Sequence, residues 1–176
     1  MMFRSLAAGT AAAAVVVVLS LGGCGVDEQQ GADELTTLQD GVVARTREVI
    51  DALAGAGLEV TRAAGVAEYC RSEPAPGVTY RTGGAVAGTP DQVVGQFAAA
   101  RDALVTAGWT VDTEGVDGAR PWANLSRDGL RLGLSQAKHG DRLLGFAVTS
   151  AECVDVADGG FLDDDDHRVD LLATEK

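Results

Sequence analysis

Two histidines, three cysteines and a run of four aspartates carry most of the chemical potential of this 176-residue chain. His139 sits in the turn sequence Lys138-His139-Gly140-Asp141, and His167 follows Asp163-Asp164-Asp165-Asp166. A Ser-His-Asp hydrolase would have to use one of these two, and no Gly-x-Ser-x-Gly elbow is present. A histidine beside four aspartates invites a metal reading. Calcium sites, however, space their ligands round a loop with a turn-forming glycine, and four consecutive side chains cannot converge on one ion. A solvated, disordered acidic tail over 156–176 is the expectation there. Cys24, Cys70 and Cys153 form no Cys-x-x-Cys, so neither a zinc ribbon nor a thioredoxin-like site is supported. Gly83-Gly84 lacks the Gly-Lys-Ser/Thr of a phosphate loop and the Gly-x-Gly-x-x-Gly of a dinucleotide site. Trp109 and Trp122 could line a groove, and Arg62, Arg71 and Arg81 could face an anion, but strand positions make core packing and solvated faces the plainer readings. The many carboxylates have no specificity for acid–base work. No catalytic group, cofactor or metal site is expected.

Cys24 is distinguished by what precedes it. One positive charge, Arg4, leads into an apolar run from Leu6 to Leu21, shorter than the ~20 residues of a spanning helix. Gly22-Gly23 then reads as a cleavage site rather than a stop-transfer flank. Leu21-Gly22-Gly23-Cys24 resembles the bacterial lipobox: an aliphatic residue, two small ones, then cysteine. In that family the cysteine thiol is alkylated with diacylglycerol and the peptide is cut just before it. The resemblance implies a lipoprotein signal peptide over 1–23 and a lipid on Cys24. The protein would then be held at the extracytoplasmic face of a cell membrane. Glycine at the second motif position departs from the commoner Ala or Ser. The competing readings are an ordinary signal peptide with a chance cysteine and a retained membrane helix. Each buried CH₂ contributes about 0.8 kcal/mol and two acyl chains hold stably, so such an anchor needs no help from the polypeptide. Residues 24–33, polar and glycine-containing, read as a tether reaching roughly 30 Å when extended.

If Cys24 carries lipid, Cys70 and Cys153 remain as an even pair in an exported protein, where oxidising conditions favour a disulfide. Two buried free thiols are the alternative. The formal charge of −12 repels phosphate backbones and argues against nucleic acid. Aromatic residues are only 5%, so the core must be built from Leu, Val and Ala.

The elements that would position these residues follow from periodicity. Glu34 to Ala54 places Leu35, Leu38, Val42, Val49 and Ala52 at helical spacing, with Thr36 and Gln39 as a possible capping box. Leu58 to Arg71 and Val78 to Thr82 read as a hairpin, with a bulge or bend at Gly83-Gly84. Thr89-Pro90-Asp91-Gln92 is a helix start, and Gly108 ends that helix, whose buried face is read as Val93, Val94, Phe97, Ala100, Leu104 and Val105. Strands follow from Trp109, over Pro121 to Arg127, over Leu130 to Gln136 and over Leu143 to Cys153, with Asp128-Gly129 as a hairpin turn. This order predicts a single α+β domain over 34–155, a two-layer sandwich with two helices on one face of a mainly antiparallel sheet.

The lipobox, the Tyr69-Cys70 strand end, the Gly108-Trp109 step and the late Ser150 to Cys153 spacing together resemble small actinobacterial lipoproteins of the LppA-like kind. That resemblance implies an envelope protein rather than an enzyme. The expected function is therefore that of a lipid-anchored, non-enzymatic envelope protein acting through protein contacts, its membrane contact made by the Cys24 lipid. The alternative is a small-ligand or lipid-binding lipoprotein with a pocket between helices and sheet. An envelope hydrolase would need His139 beside a buried carboxylate and a nucleophile.

Overall fold

The computed structural model describes residues 28–73, 76–137, 143–156 and 167–173. Helix α1 spans Glu28–Gly55, starting six residues before the expected Glu34. Residues 28–33, read above as tether, are therefore helical. Gln29 donates to Asp33 at 3.1 Å and Gln30 to Glu34 at 2.8 Å, side-chain pairs of the i,i+4 kind that support a helix end. Thr36 is no N-cap, since its hydroxyl donates back to the Ala32 carbonyl from within the helix. Residues 1–27, with Cys24, lie outside the described residues.

Strands β1 (Val60–Arg71) and β2 (Gly77–Val86) form the expected antiparallel hairpin. A single 3₁₀ turn, Pro90–Gln92, leads into α2 (Val93–Thr106), and the Gln92 side chain accepts from the Thr89 N–H at 2.9 Å. Both helices stop by the same device. Gly57 and Gly108 have φ of 77° and 92°, and each lets the next residue donate back, Leu58 N–H to Leu53 and Trp109 N–H to Leu104, both at 3.0 Å. In α2 the buried stripe is Val93, Ala100 and Leu104 with Phe97 half-buried, whereas Val94 and Val105 are exposed. The expected face was too wide: 93, 97, 100 and 104 follow one helical row, and 94 and 105 fall beside it.

The remaining strands are β3 (Thr110–Asp117), β4 (Arg120–Arg127), β5 (Leu130–Gln136), β6 (Leu144–Ser150), β7 (Val154–Asp155) and β8 (Val169–Asp170). The sheet is antiparallel in the order β3-β4-β5-β6-β2-β1-β8, and β7 pairs with β2 beyond the end of β6. Asp128 and Gly129 have φ of 50° and 79°, the two left-handed positions of a type I′ turn. No bulge interrupts β2 at Gly83-Gly84, which pair in register with Ala64 and Ala63. The register shifts lie elsewhere, between Val60 and Arg62 and between Tyr69 and Arg71. The expected tail is also revised where it is described. Leu171 N–H donates to the Ala63 carbonyl at 2.9 Å, its side chain is buried, and His167 Nδ1 lies 3.0 Å from Gln39 Oε1 on α1. The Asp163 to Asp166 run and the His139 turn lie outside the described residues.

The protein is thus of the α+β class, with a predominantly antiparallel sheet and two helices. One apolar cluster joins Leu35, Val42, Val49 and Leu53 of α1, Ala100 and Leu104 of α2, and alternate residues of the strands. Within it a buried hydroxyl pair links helix to sheet. Thr46 Oγ1 donates to the Val42 carbonyl at 2.7 Å and lies 2.7 Å from Thr82 Oγ1 of β2. Both hydroxyls are satisfied, as burial of polar groups requires.

Candidate functional site: a groove beside the first helix

The N-terminal half of α1 runs past the sheet beside the β4–β5 turn and the β6–β7 connection, and a groove of about 880 Å³ lies between them. Its apolar lining comes from Leu38 and Val42 of α1, Leu130 of β5 and Val154 of β7. Leu38 and Val42 share the helix face that packs on the core and are themselves buried, as is Val154, so the groove lies over the rim of the core, where Leu130 is half-buried. Asp33, Glu34, Arg45, Asp128 and Glu152 add charge.

An ionic network fixes the wall at Asp128. Arg45 spans Glu48 at 2.7 Å and Asp128 at 2.9 Å. Arg127 donates to the Ala107 carbonyl at 2.6 Å and also reaches Glu48 at 3.3 Å and Asp128 at 3.4 Å. A cation at the carbonyl end of α2 is favoured by the helix dipole. These bonds tie α1, the end of α2 and the β4–β5 turn into one unit. Arg45 is thereby spent on carboxylates of the protein itself. Asp33, Glu34 and Glu152 form no ion pair with any described residue.

A second depression of about 630 Å³ includes Tyr69, Arg81, Arg131 and Thr149. Arg81 and Arg131 both register against Thr149, so they flank it on neighbouring strands. Arg81 approaches Glu68 at 3.7 Å. Glu68, Asp112 and Glu152 share this lining, which leaves it of mixed charge.

The other sequence-predicted residues fall as follows. Cys70 and Cys153 are joined in a disulfide with Cα atoms 6.0 Å apart. Arg71 pairs with Asp155 beside it, and Arg62 is exposed. Trp109 is buried in the core, while Trp122 lies half-buried against Gly115. Among the described residues no three His, Cys, Asp or Glu side chains gather as metal ligands would, and no helix is long and apolar enough to cross a membrane.

Among the described residues two groups titrate away from their ordinary values. Arg101 is raised by its hydrogen bonds to Glu114 and Asp102, an exposed ion cluster. Burial pushes the Tyr80 phenol up to about 12, and its hydroxyl has no hydrogen-bond partner among the described residues. Above pH 10 the unfolded chain releases this proton while the folded protein keeps it. Stability is therefore expected to fall by about 2 kcal/mol as pH rises from 10 to 12. Tyr80→Phe should flatten that slope and leave neutral-pH stability unchanged or higher, because an unsatisfied buried hydroxyl is lost. Urea unfolding at pH 8 and pH 11 reads both effects, and an equal alkaline loss in the Phe variant would assign it to other groups.

Sequence reasoning found the apolar stripe of α1 but not the groove. The wall residues come from segments far apart in the chain, and their juxtaposition has no local signature. One local signal was present: Gly41 stands in the middle of the 34–54 stretch whose spacing predicts a helix. No protein-family model, curated protein or solved structure matches this chain.

Proposed function

We propose that this is a lipid-anchored, non-enzymatic protein of the extracytoplasmic membrane face that binds a small, largely apolar ligand in the α1 groove. The observation that carries the reading is the groove itself. Its volume of about 880 Å³ and apolar floor fall in the range of small-molecule sites, roughly 300–1,000 Å³ with a few polar groups. The fold is read as a two-layer sandwich with both helices on one face. Supporting this are the single core cluster and the small residues Gly83, Ala147 and Gly133, which register side by side across β2, β6 and β5.

The anchor belongs to the same reading. The helix starts four residues after Cys24, at most about 14 Å of extended chain. Gln29 and Gln30, which line the groove, would then sit close to the bilayer. Protein contacts are the second reading, favoured by the exposed Tyr69 and Val66 on β1.

The test is metabolic labelling with an alkyne fatty acid in cells making the full chain, followed by mass spectrometry of the purified protein. Wild type is expected to carry the label and a co-extracted small molecule. Cys24→Ala should lose the label. A label that persists in Cys24→Ala would overturn the anchor, and wild type recovered bare would move the function to protein contacts.

A further inference from the structure

The groove is kept open by a residue that helix formation disfavours. Gly41 lies in the interior of α1, where glycine is the least favourable residue after proline. The usual structural reasons for a glycine are missing. Gly41 is not among the glycines of positive φ, it is not at a helix end, and a Cβ there would meet nothing within 4 Å. It does line the groove, so a side chain at 41 would occupy space now open to a ligand.

The charge of the groove then selects the ligand. Asp33 and Glu34 are held only by neutral glutamines, Glu152 is exposed, and the lone arginine of the lining is already shared by Glu48 and Asp128. Among the described residues an anionic headgroup finds no free cation here and three carboxylates opposing it. A docked peptide helix, about 10 Å across, would fill this volume within about two turns, shorter than an isolated helix that is stable in water. We infer that the groove binds a cationic amphiphile: an apolar chain or ring over Leu130 and the edge of Leu38, with an ammonium or guanidinium group among Asp33, Glu34 and Glu152. The inference rests on the groove-binding function proposed above and names its ligand class.

The experiment titrates the full chain with three fluorescent probes of equal chain length, below their micelle concentrations: an alkylamine, an alkyl alcohol and an alkyl carboxylate. The amine is expected to bind about tenfold tighter than the alcohol, and the carboxylate more weakly than either. Glu34→Gln with Glu152→Gln should weaken the amine about threefold to tenfold and leave the alcohol unchanged. Gly41→Leu should abolish binding of the amine and alcohol with the melting temperature unchanged or raised. Gly95→Leu, also inside a helix with open space around it but absent from the groove lining, should bind like wild type. Equal affinity for all three probes, lost in Gly41→Leu, would overturn the cationic class and leave groove binding standing. No probe bound by wild type, or a basic amphipathic peptide bound in their place, would overturn both. The charge variants and the probe series decide the matter even if Gly41→Leu fails to fold.

Discussion

Cys70→Ser with Cys153→Ser lowers the unfolding free energy by about 4 kcal/mol. The bridge closes a loop of 83 residues, for which chain entropy gives about 4–5 kcal/mol before native-state adjustments. It joins the end of β1 to the connection between β6 and β7, and Gly77 of β2 lies under it: a Cβ there would come within 2.5 Å of Cys153 Sγ. The bonds that survive its loss are local and few. Among the described residues they include the Arg71–Asp155 ion pair, the two-residue β7 pairing and the Val156 N–H to the Pro76 carbonyl at 3.0 Å. Glu152 and Val154 flank Cys153 and line the groove, so the same substitution should loosen that wall. Urea unfolding with and without reductant measures the effect. Reduced wild type should match the double variant, and reductant should not change the variant. The slope on denaturant should rise as the unfolded chain expands. A loss under about 1 kcal/mol would mean that the unfolded chain already holds residues 70 and 153 near one another.

What was legible in the sequence was local. Asp128-Gly129 fixes a hairpin turn through its own backbone preference, Gly108 stops α2, and alternating Leu130, Leu132 and Leu134 mark β5 without reference to any other segment. Non-local pairings were not legible. Nothing in the β1–β2 hairpin states that β2, rather than β1, will lie against β6. The docking of 167–171 was hidden by the acidic composition before it, because one buried leucine and two strand residues are too short a signal against such a background. The extension of α1 was missed because glutamine and glycine at 29–31 read as linker, whereas the i,i+4 pairs to Asp33 and Glu34 help hold the helix. The groove fails to register for the same reason as the sheet order: it is a relation between α1 and a turn more than 80 residues downstream, as in the Arg45–Asp128 pair.

Gly84→Ala is expected to cost about 2–3 kcal/mol, and Gly83→Ala to be neutral or slightly stabilising. The two glycines are adjacent in β2 and read alike as sequence, yet their sheet partners differ. Gly84 pairs with Ala63 and Phe146, both buried. A Cβ on Gly84 would lie 2.6 Å from Phe146 Cε1 and 2.9 Å from the Arg62 carbonyl oxygen. The ring can turn aside, but the carbonyl belongs to the backbone of the pairing strand and cannot retreat without loosening the hairpin. At Gly83 the nearest atom is the Phe146 carbonyl oxygen at 3.6 Å, an ordinary contact. A methyl there adds no strain and reduces the entropy of the unfolded chain. The expected difference corresponds to about 8–12 °C in melting temperature for a domain of this size. Adding Phe146→Leu to Gly84→Ala should recover only part of the loss, because the Arg62 contact remains. Equal effects at 83 and 84 would mean that these glycines serve strand flexibility, the bend expected from sequence, and not the packing of Phe146 against β2.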